Sequence, residues 1–470
     1  MSLQRLQPGL VDAPYDRTRL ANSIVHLGVG AFQRAHLAQA TDAAIVATGD
    51  LRWGIVGVSL RSPETRDALA PQRGLYTLAI RDADEYGAPR EHLQVIHCLR
   101  ELLVASEDLG AVHQHIASTT TRIVSLTVTE KGYLGAEPGS TIDVLTHGLA
   151  LRFARGGSGI TLLSLDNLPS NGEVLHERLL SHTRSANPEL AEWIETHCSF
   201  PCSMVDRIVP RTTDADCERI SAHLGLQDAW PVVGEPFFDW VIEDRFAAGR
   251  PEWQHGGARF VADAKPFETL KLRLVNGAHS ALAYLGAMAG WRTVDQAMAV
   301  PALHRYLDAL MHNEIAPTLP ELPGLDLDAY RTRLLQRFAN PALQHQTRQI
   351  AMDGSQKLPQ RLLGTVRERL AAFAGVERLA LAVAAWIHYL RGVDELGGAY
   401  EIQDPLAAAL TDQLARAEST SSVHDAVALF TSFVPVFGEL GREPRFVSTV
   451  ARQLLSLKQR GVLATLENLA

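Results

Sequence analysis

The sequence predicts an α/β fold in two parts: a parallel sheet covered by helices on both faces, followed by a mainly α-helical domain. Three observations point there. Strand-length apolar runs alternate with helical patterns over the first half of the chain. The first run ends in a Gly-x-Gly turn, Gly28-Val29-Gly30, that opens a helix. From Pro266 onward Ala, Leu, Arg, Glu and Gln dominate and few strand-like runs remain. The chain has 470 residues, about three times a usual domain, so two domains are expected, 1–265 and 266–470.

The elements follow in order. Residues 1–20 are a polar lead-in. SIVHLGVGAF reads as a buried strand entering the glycine turn, and RAHLAQATDAAIVATG has helical spacing that stops at Gly49. WGIVGVSL, LYTLAIRD, RIVSLTVTE and GITLLSLDN are apolar runs of strand length, with helical patterns near 107–118 and 141–154. Beyond Pro266, FETLKLRLVNGAHSALAYLG, VERLALAVAAWIHYLRG and FVSTVARQLLSLKQRG read as helices, and ARAESTSS as a loop. No internal repeat is visible.

Composition narrows the class. With 46% hydrophobic and 21% charged residues, the chain suits a globular protein with sizeable cores. A net charge of −9 offers no basic field for nucleic acid, although local charge decides whether an anion binds. Four cysteines are too few for a disulfide scaffold. Cys198, Cys202 and Cys217 lack a compact fourth zinc ligand, since His197 adjoins Cys198, so no metal is expected. The N-terminus lacks a signal-peptide core, and no run approaches the ~18 apolar residues of a membrane span. The expectation is a cytoplasmic protein without membrane or nucleic-acid partners, monomeric or a small homo-oligomer.

Chemistry concentrates in a few segments. At the glycine turn, Gly28 and Gly30 let a pyrophosphate approach a helix N-terminus, where N–H groups favour an anion. Gln33 stands where the usual fingerprint has its third glycine, and Gly-x-Gly alone is a weak signal. Phe32 and Arg34 follow in the same turn. At the end of the second strand an acid usually holds the adenosine ribose. Here Arg61 and Ser62 occupy that place with Glu64 behind, so NAD is expected while NADP stays open, because an arginine can accept a 2′-phosphate. Lys271, Asn276 and His279 share one helical segment. Steps of five and eight residues spread them over an arc of about 140° on an α-helix. Lys271 lies among Leu270, Leu272, Leu274 and Val275, and burial lowers a lysine's pKa toward the range of a general acid/base. Asn276 could donate to a carbonyl oxygen. The same residues also fit an amphipathic helix whose Lys271 reaches solvent. Thr127–Tyr133, Asp166-Asn167, Asp206-Arg207 and Asp353–Lys357 are further polar clusters, each of which also suits a turn or cap. No Tyr is followed four residues later by Lys, so the pair used by short-chain dehydrogenases is missing.

Together IVHLGVGAFQRAH, TVTEKGY, SLDNLPSNG, FPCSMVDRIVP, VGEPFFDWVIED and KLRLVNGAHSALAYLG resemble the motifs of the mannitol dehydrogenase family, in the family's order, and QIAMDGSQKLPQRLL extends the match to about residue 363. The resemblance implies a Rossmann-type N-terminal domain, a helical C-terminal domain and metal-free hydride transfer with NAD to a small sugar acid or polyol. It implies Lys271 as general acid/base and Asn167 with Asn276 as the amides that polarise the reacting oxygen. His279 and Asp206 are then substrate-orienting, Glu130 lies near the proton route, and Lys357 lies near the substrate. Gln349 replaces an arginine common in mannitol-oxidising members, and Arg348 and Gln349 join Lys357 as expected substrate contacts. Ala31-Phe32-Gln33 departs from the commoner Asn-Phe-His. The segments look most like members acting on sugar acids, D-fructuronate and D-mannonate, with a polyol such as mannitol as the alternative. A non-catalytic dinucleotide sensor is the alternative from another class.

Overall fold

The computed structural model describes residues 3–83, 88–133, 135, 137–322, 324–342 and 344–469. The chain divides into two compact units, one running to Lys265 and the other from Pro266 onward with Ala88 joined to it. In the first, eleven strands occur among the described residues: β1 Asn22–Leu27, β2 Gly54–Ser59, β3 Tyr76–Ala83, β4 Pro89–Ile96, β5 Leu99–Val104, β6 Ile123–Leu126, β7 Thr161–Ser164, β8 Ser203–Asp206, β9 Val232–Gly234, β10 Asp239–Glu243 and β11 Ala258–Val261. The main sheet has the order β5-β2-β1-β6-β7 and every pair in it is parallel. Counted along the chain, that is third, second, first, fourth, fifth strand, the order of a Rossmann-type sheet.

The sheet is buried on both faces, as its near-continuous apolar strands require. Ile24, Ile55, Ile123 and Leu163 point into one core with helix Leu37–Thr48. Their neighbours Val25, Val56, Val124 and Leu162 point into the other, against Leu109–Ala117, Thr141–Ala154, Asn171–Ala186 and Pro188–His197. The period of two thus divides each strand between the two cores. Caps set the helix starts. Asp108 accepts from Ala111 N at 2.8 Å, and the Ser140 side chain accepts from Asp143 N. Gly49, at φ 69°, ends its helix in the left-handed conformation, as the sequence suggested.

One expected strand belongs elsewhere. LYTLAIRD forms β3, which pairs antiparallel with β4 and parallel with β9 in a separate three-stranded sheet. A third sheet has the order β11-β10-β8. Tyr76, Leu78, Val232, Trp240 and Ile242 carry these sheets into the core that holds Ile24, so they lie over one face of the main sheet.

Among the described residues the second unit has helices and no named strand. Helix Gly277–Met288 is buried at every position except His279, as befits a helix apolar nearly all round. It packs against Glu377–Tyr389, which packs against the C-terminal helix Pro444–Glu467. That last helix is broken at Gly461, whose φ of 77° and ψ of 177° are not helical. No helix among the described residues is long and apolar enough to cross a membrane.

Candidate active site

The sheet order reverses between β1 and β6, where open α/β sheets bind ligands. Gly28 leaves β1 at φ 94°, and a Cβ there would lie 2.2 Å from the Thr127 carbonyl oxygen. Glycine is therefore required at this approach. Gly30 differs: its Cβ would meet nothing closer than Gly28 O at 3.8 Å. The open side of Gly30, at the switch point, fits the close approach of a dinucleotide pyrophosphate.

A side-chain relay fixes this turn. Thr127 Oγ1 donates to Gly28 O at 2.7 Å and lies 2.9 Å from His26 Nε2, while His26 Nδ1 lies 2.8 Å from Ser125 Oγ. The threonine's one proton goes to the carbonyl, so Nε2–H donates to Thr127, and Nδ1 accepts from Ser125. Burial pushes the His26 pKa down to about 3, which keeps the ring in this neutral tautomer.

The helix expected after the turn runs Ala31–Ala35, breaks at His36 and resumes at Leu37. Phe32 stacks on His36 at 4.8 Å. Arg34 is buried, donates to Trp230 O and lies over the Tyr76 ring. Gln33 is fully buried, with neither end of its amide hydrogen-bonded. Arg61 is exposed beyond β2, and its carbonyl accepts from Ser106 Oγ.

At the end of β6, Thr129 adopts φ 65°. Asp166 holds this loop: its carboxylate accepts from Val128 N at 3.2 Å, Thr129 N at 2.9 Å and Tyr133 OH at 2.6 Å. Burial raises the Asp166 pKa, opposed by Tyr133 and the two amides. Asp166 is thus the clamp of the loop that carries Glu130, and its neighbour Asn167 is exposed. Glu130 opens a 3-10 turn, and its side chain lies outside the described residues. Asn171 joins β7 to β8. Its Nδ2 donates to Ser164 O at 3.2 Å, Asp166 O at 3.0 Å and Ser203 O at 2.8 Å, and its Oδ1 accepts from Ser203 N at 2.9 Å. Asp206 closes β8 opposite Asp239 and is buried, as is Arg207, whose guanidinium bonds Glu235 O and Ala35 O.

In the second unit the Lys271 segment departs from the expected α-helix. Lys265–Leu270 is α-helical, Lys271–Asn276 is a π-helix, and Gly277–Met288 is α-helical again. A π-turn bonds i to i+5, which brings positions five apart nearer to one another in azimuth than the ~140° of an α-helix. Lys271, Asn276 and His279 are all half-buried, whereas Arg273 turns outward to Thr318 O and an ion pair with Glu368. A Cβ on Gly277 would lie 2.9 Å from Arg361 O, so this π-turn contacts the backbone of a second one, Pro359–Leu363.

Further groups gather around this helix. The His279 ring stacks on Phe338 at 4.9 Å and meets His345 edge-on at 5.3 Å. The His345 pKa is lowered by burial, then by Arg337 and Lys357. Lys357 donates to Ile350 O at 3.2 Å, and burial followed by Arg361 holds its pKa below the ordinary lysine value. Arg361 donates to Ser280 Oγ at 3.1 Å. The unit thus brings Lys357 electrostatically close to His345, beside His279. Gln349 is exposed, and Arg348 pairs with Asp394 at 2.8 Å and lies over the Tyr400 ring. His345 and Arg361 went unread in the sequence, although Arg361 stands four residues after Lys357, one helical turn on. Among the described residues no group of His, Cys, Asp and Glu side chains could hold a metal ion.

Comparison with known proteins agrees with this architecture. Residues 22–255 match the mannitol dehydrogenase Rossmann domain, and residues 263–458 match the mannitol dehydrogenase C-terminal domain. The D-mannonate oxidoreductase of Escherichia coli (strain K12) is 41% identical, over 95% of this chain and 95% of that protein. A mannitol 2-dehydrogenase of Phaeosphaeria nodorum is 36% identical, over 97% of this chain and 83% of that protein. The Pseudomonas fluorescens mannitol 2-dehydrogenase, solved as a ternary complex with NAD and D-mannitol, superposes with a TM-score of 0.82 at 38% identity, over 97% of this chain and 96% of that one.

Proposed function

We propose, from the premise that this chain belongs to the mannitol dehydrogenase family, that it is an NAD(H)-dependent oxidoreductase interconverting a ketone and a secondary alcohol of an open-chain sugar acid. D-fructuronate and D-mannonate are the favoured pair, which makes the chain a fructuronate reductase. The observation that carries the sugar acid is a pair of half-buried cations, Lys357 and Arg361, in the unit that also holds Lys271. A substrate carboxylate would relieve their repulsion through charge-assisted hydrogen bonds, which an uncharged polyol cannot do. Similarity to a D-mannonate oxidoreductase supports the same choice.

When bound, NADH supplies the hydride that reduces the carbonyl carbon. The carbonyl oxygen then gains a proton from Lys271 Nζ, and the reverse reaction returns it there. Asn276 donates a hydrogen bond to that oxygen as negative charge builds on it, and the family resemblance gives Asn167 the same kind of role. His279 and Asp206 orient hydroxyls, and the family resemblance gives Glu130 a part in the proton route. The turn at Gly28 and Gly30 would receive the coenzyme's pyrophosphate, with Phe32 and Arg61 nearby, while Arg34, buried against Tyr76 and Trp230 O, would hold the turn from behind.

The second reading, oxidation of mannitol to fructose, is favoured by the likeness to the Pseudomonas fluorescens enzyme. A turnover assay with NADH against fructuronate and fructose, in the parent and in Lys357→Met, separates the two. The sugar-acid reading expects fructuronate to be the faster substrate in the parent and to suffer the larger loss in the variant. Faster reduction of fructose by the parent overturns it, and no turnover of either would leave a dinucleotide sensor.

A further inference from the structure

The helical unit contains a cleft of about 560 Å³, open to solvent, at the far end of helix Gly277–Met288. Met288 lines it, seventeen residues beyond Lys271, or roughly 25 Å along the helical axis. No role in the proposed reaction falls to it.

Its walls are charged unevenly. His388, in the last turn of helix Glu377–Tyr389, Arg391 just beyond that helix, and Lys458 from the C-terminal helix converge on it. Lys458 has no ion pair or hydrogen bond among the described residues. His388 Nδ1 is buried without a partner. Arg391 meets Glu418 at 3.3 Å, but both side chains are well exposed, 47% and 40%, and such surface pairs contribute little. The acids of the same cleft are already engaged. Asp394 takes Arg348 at 2.8 Å and the Leu396 and Gly398 amides at 3.0 and 2.7 Å. Glu395 accepts from Val462 N at 2.7 Å, an amide freed by the helix break at Gly461.

We propose that this cleft is a binding site for a small metabolite carrying a phosphate or carboxylate group, held by His388, Arg391 and Lys458 and separate from the Lys271 turn. The helix dipole by itself favours a cation such as Lys458 in the turn before the break. It accounts for Lys458 alone and gives no reason for His388 and Arg391 to gather beside it on the same wall. Burial, then Arg391 and Lys458, push the His388 pKa down to about 4. An arriving oxyanion supplies the missing counter-charge and lets the ring take up a proton.

The test is calorimetric titration of inorganic phosphate and of citrate into the NADH-saturated protein at fixed ionic strength, so that coenzyme fills the glycine turn. We expect saturable binding of at least one probe, weakened about ten-fold or more in Lys458→Met, as for loss of one charge-assisted contact. Arg442→Met, which removes an exposed cation paired with Glu439, should leave it unchanged. Binding of phosphate alone identifies a phosphate ligand, and binding of citrate alone a carboxylate. Absence of saturable binding by both, or equal binding by the parent and Lys458→Met, overturns the proposal. If Lys458→Met does not fold, the His388 ring resonances of the parent decide: they should move toward the charged form with the calorimetric midpoint, and unmoved rings overturn the site. Binding is read without turnover, so failure here leaves the proposed reaction untouched.

Discussion

Lys271 is one of two cations in the same π-turn, and their environments differ. Arg273 is held by Glu368 and Thr318 O, and the proposed reaction assigns the proton to Lys271. Lys271→Ala should therefore bind NADH nearly as the parent does and lose about 10²–10⁴ in turnover, the range for a missing general acid/base. Steady-state kinetics with a coenzyme-binding measurement checks this, and a loss confined to NADH affinity would contradict it. The His26–Thr127–Gly28 relay gives a second prediction. Thr127→Val removes the hydroxyl that both accepts from His26 and donates to Gly28. It should raise the KM for NADH with little change in kcat, and Thr127→Ser should restore it. Equal damage by valine and serine would assign Thr127 a packing role instead. Lys271, Asn276, His279 and both glycines stood out in the sequence as candidates because their residue types are unusual in apolar surroundings. The relay was not, because His26 bonds sideways to a strand about a hundred residues on, and a single strand's pattern holds no trace of its neighbour.

At the scale of elements, the glycine turn separates two roles that the Gly-x-Gly pattern merges. Gly28→Ala would place a methyl against the Thr127 carbonyl in a left-handed conformation, so folding itself should suffer, seen as a lower Tm or insoluble protein. Gly30→Val meets no such obstacle, and the variant should stay folded with a much higher KM for NADH. A Gly30→Val protein that binds NADH normally would move the pyrophosphate elsewhere. The strands β1, β2, β6 and β7 and the helix Thr141–Ala154 were readable from apolar runs and from the helical pattern near 141–154. The π-turn was not, since i to i+5 bonding adds one residue to a turn without disturbing the apolar run around Lys271. β3 was recognised as a strand and misassigned to the main sheet. Nothing local distinguishes a strand of one sheet from a strand of another when both enter the same core.

For the whole molecule, the composition shifts near Pro266, because a buried parallel sheet and packed helices draw on different residues. The short strands β8 to β11, three to five residues each, left too little pattern to read. Buried histidines make the folded chain acid-sensitive. In the folded state His26 and His97 have pKa values pushed by burial from 6.5 to about 3 and about 4. Below pH 6.5 the unfolded chain takes up protons that the folded chain refuses, so stability present at neutral pH is lost as the pH falls toward 4. At pH 5 each contributes a loss of about 2 kcal/mol. Asp42, raised by burial to about 6, works the other way and offsets about 1.4 kcal/mol there. Thermal denaturation at pH 7.5 and pH 5 should show a clear fall in Tm. A Tm that holds or rises on acidification would mean that these rings are protonated in the native protein.

Asn171 is followed by Gly172, the pairing most prone to deamidation when a chain is mobile. In the native protein its amide is fully buried and its nitrogen serves three carbonyls. A carboxylate in its place could donate to none of them. Folding therefore shelters the residue from chemical ageing, and each long excursion to the unfolded state exposes it. Molecules held unfolded and warm should accumulate aspartate and isoaspartate at position 171, visible by peptide mass spectrometry. The recoverable fraction on refolding should decline in step, so that the joint between β7 and β8 keeps a chemical record of time spent unfolded.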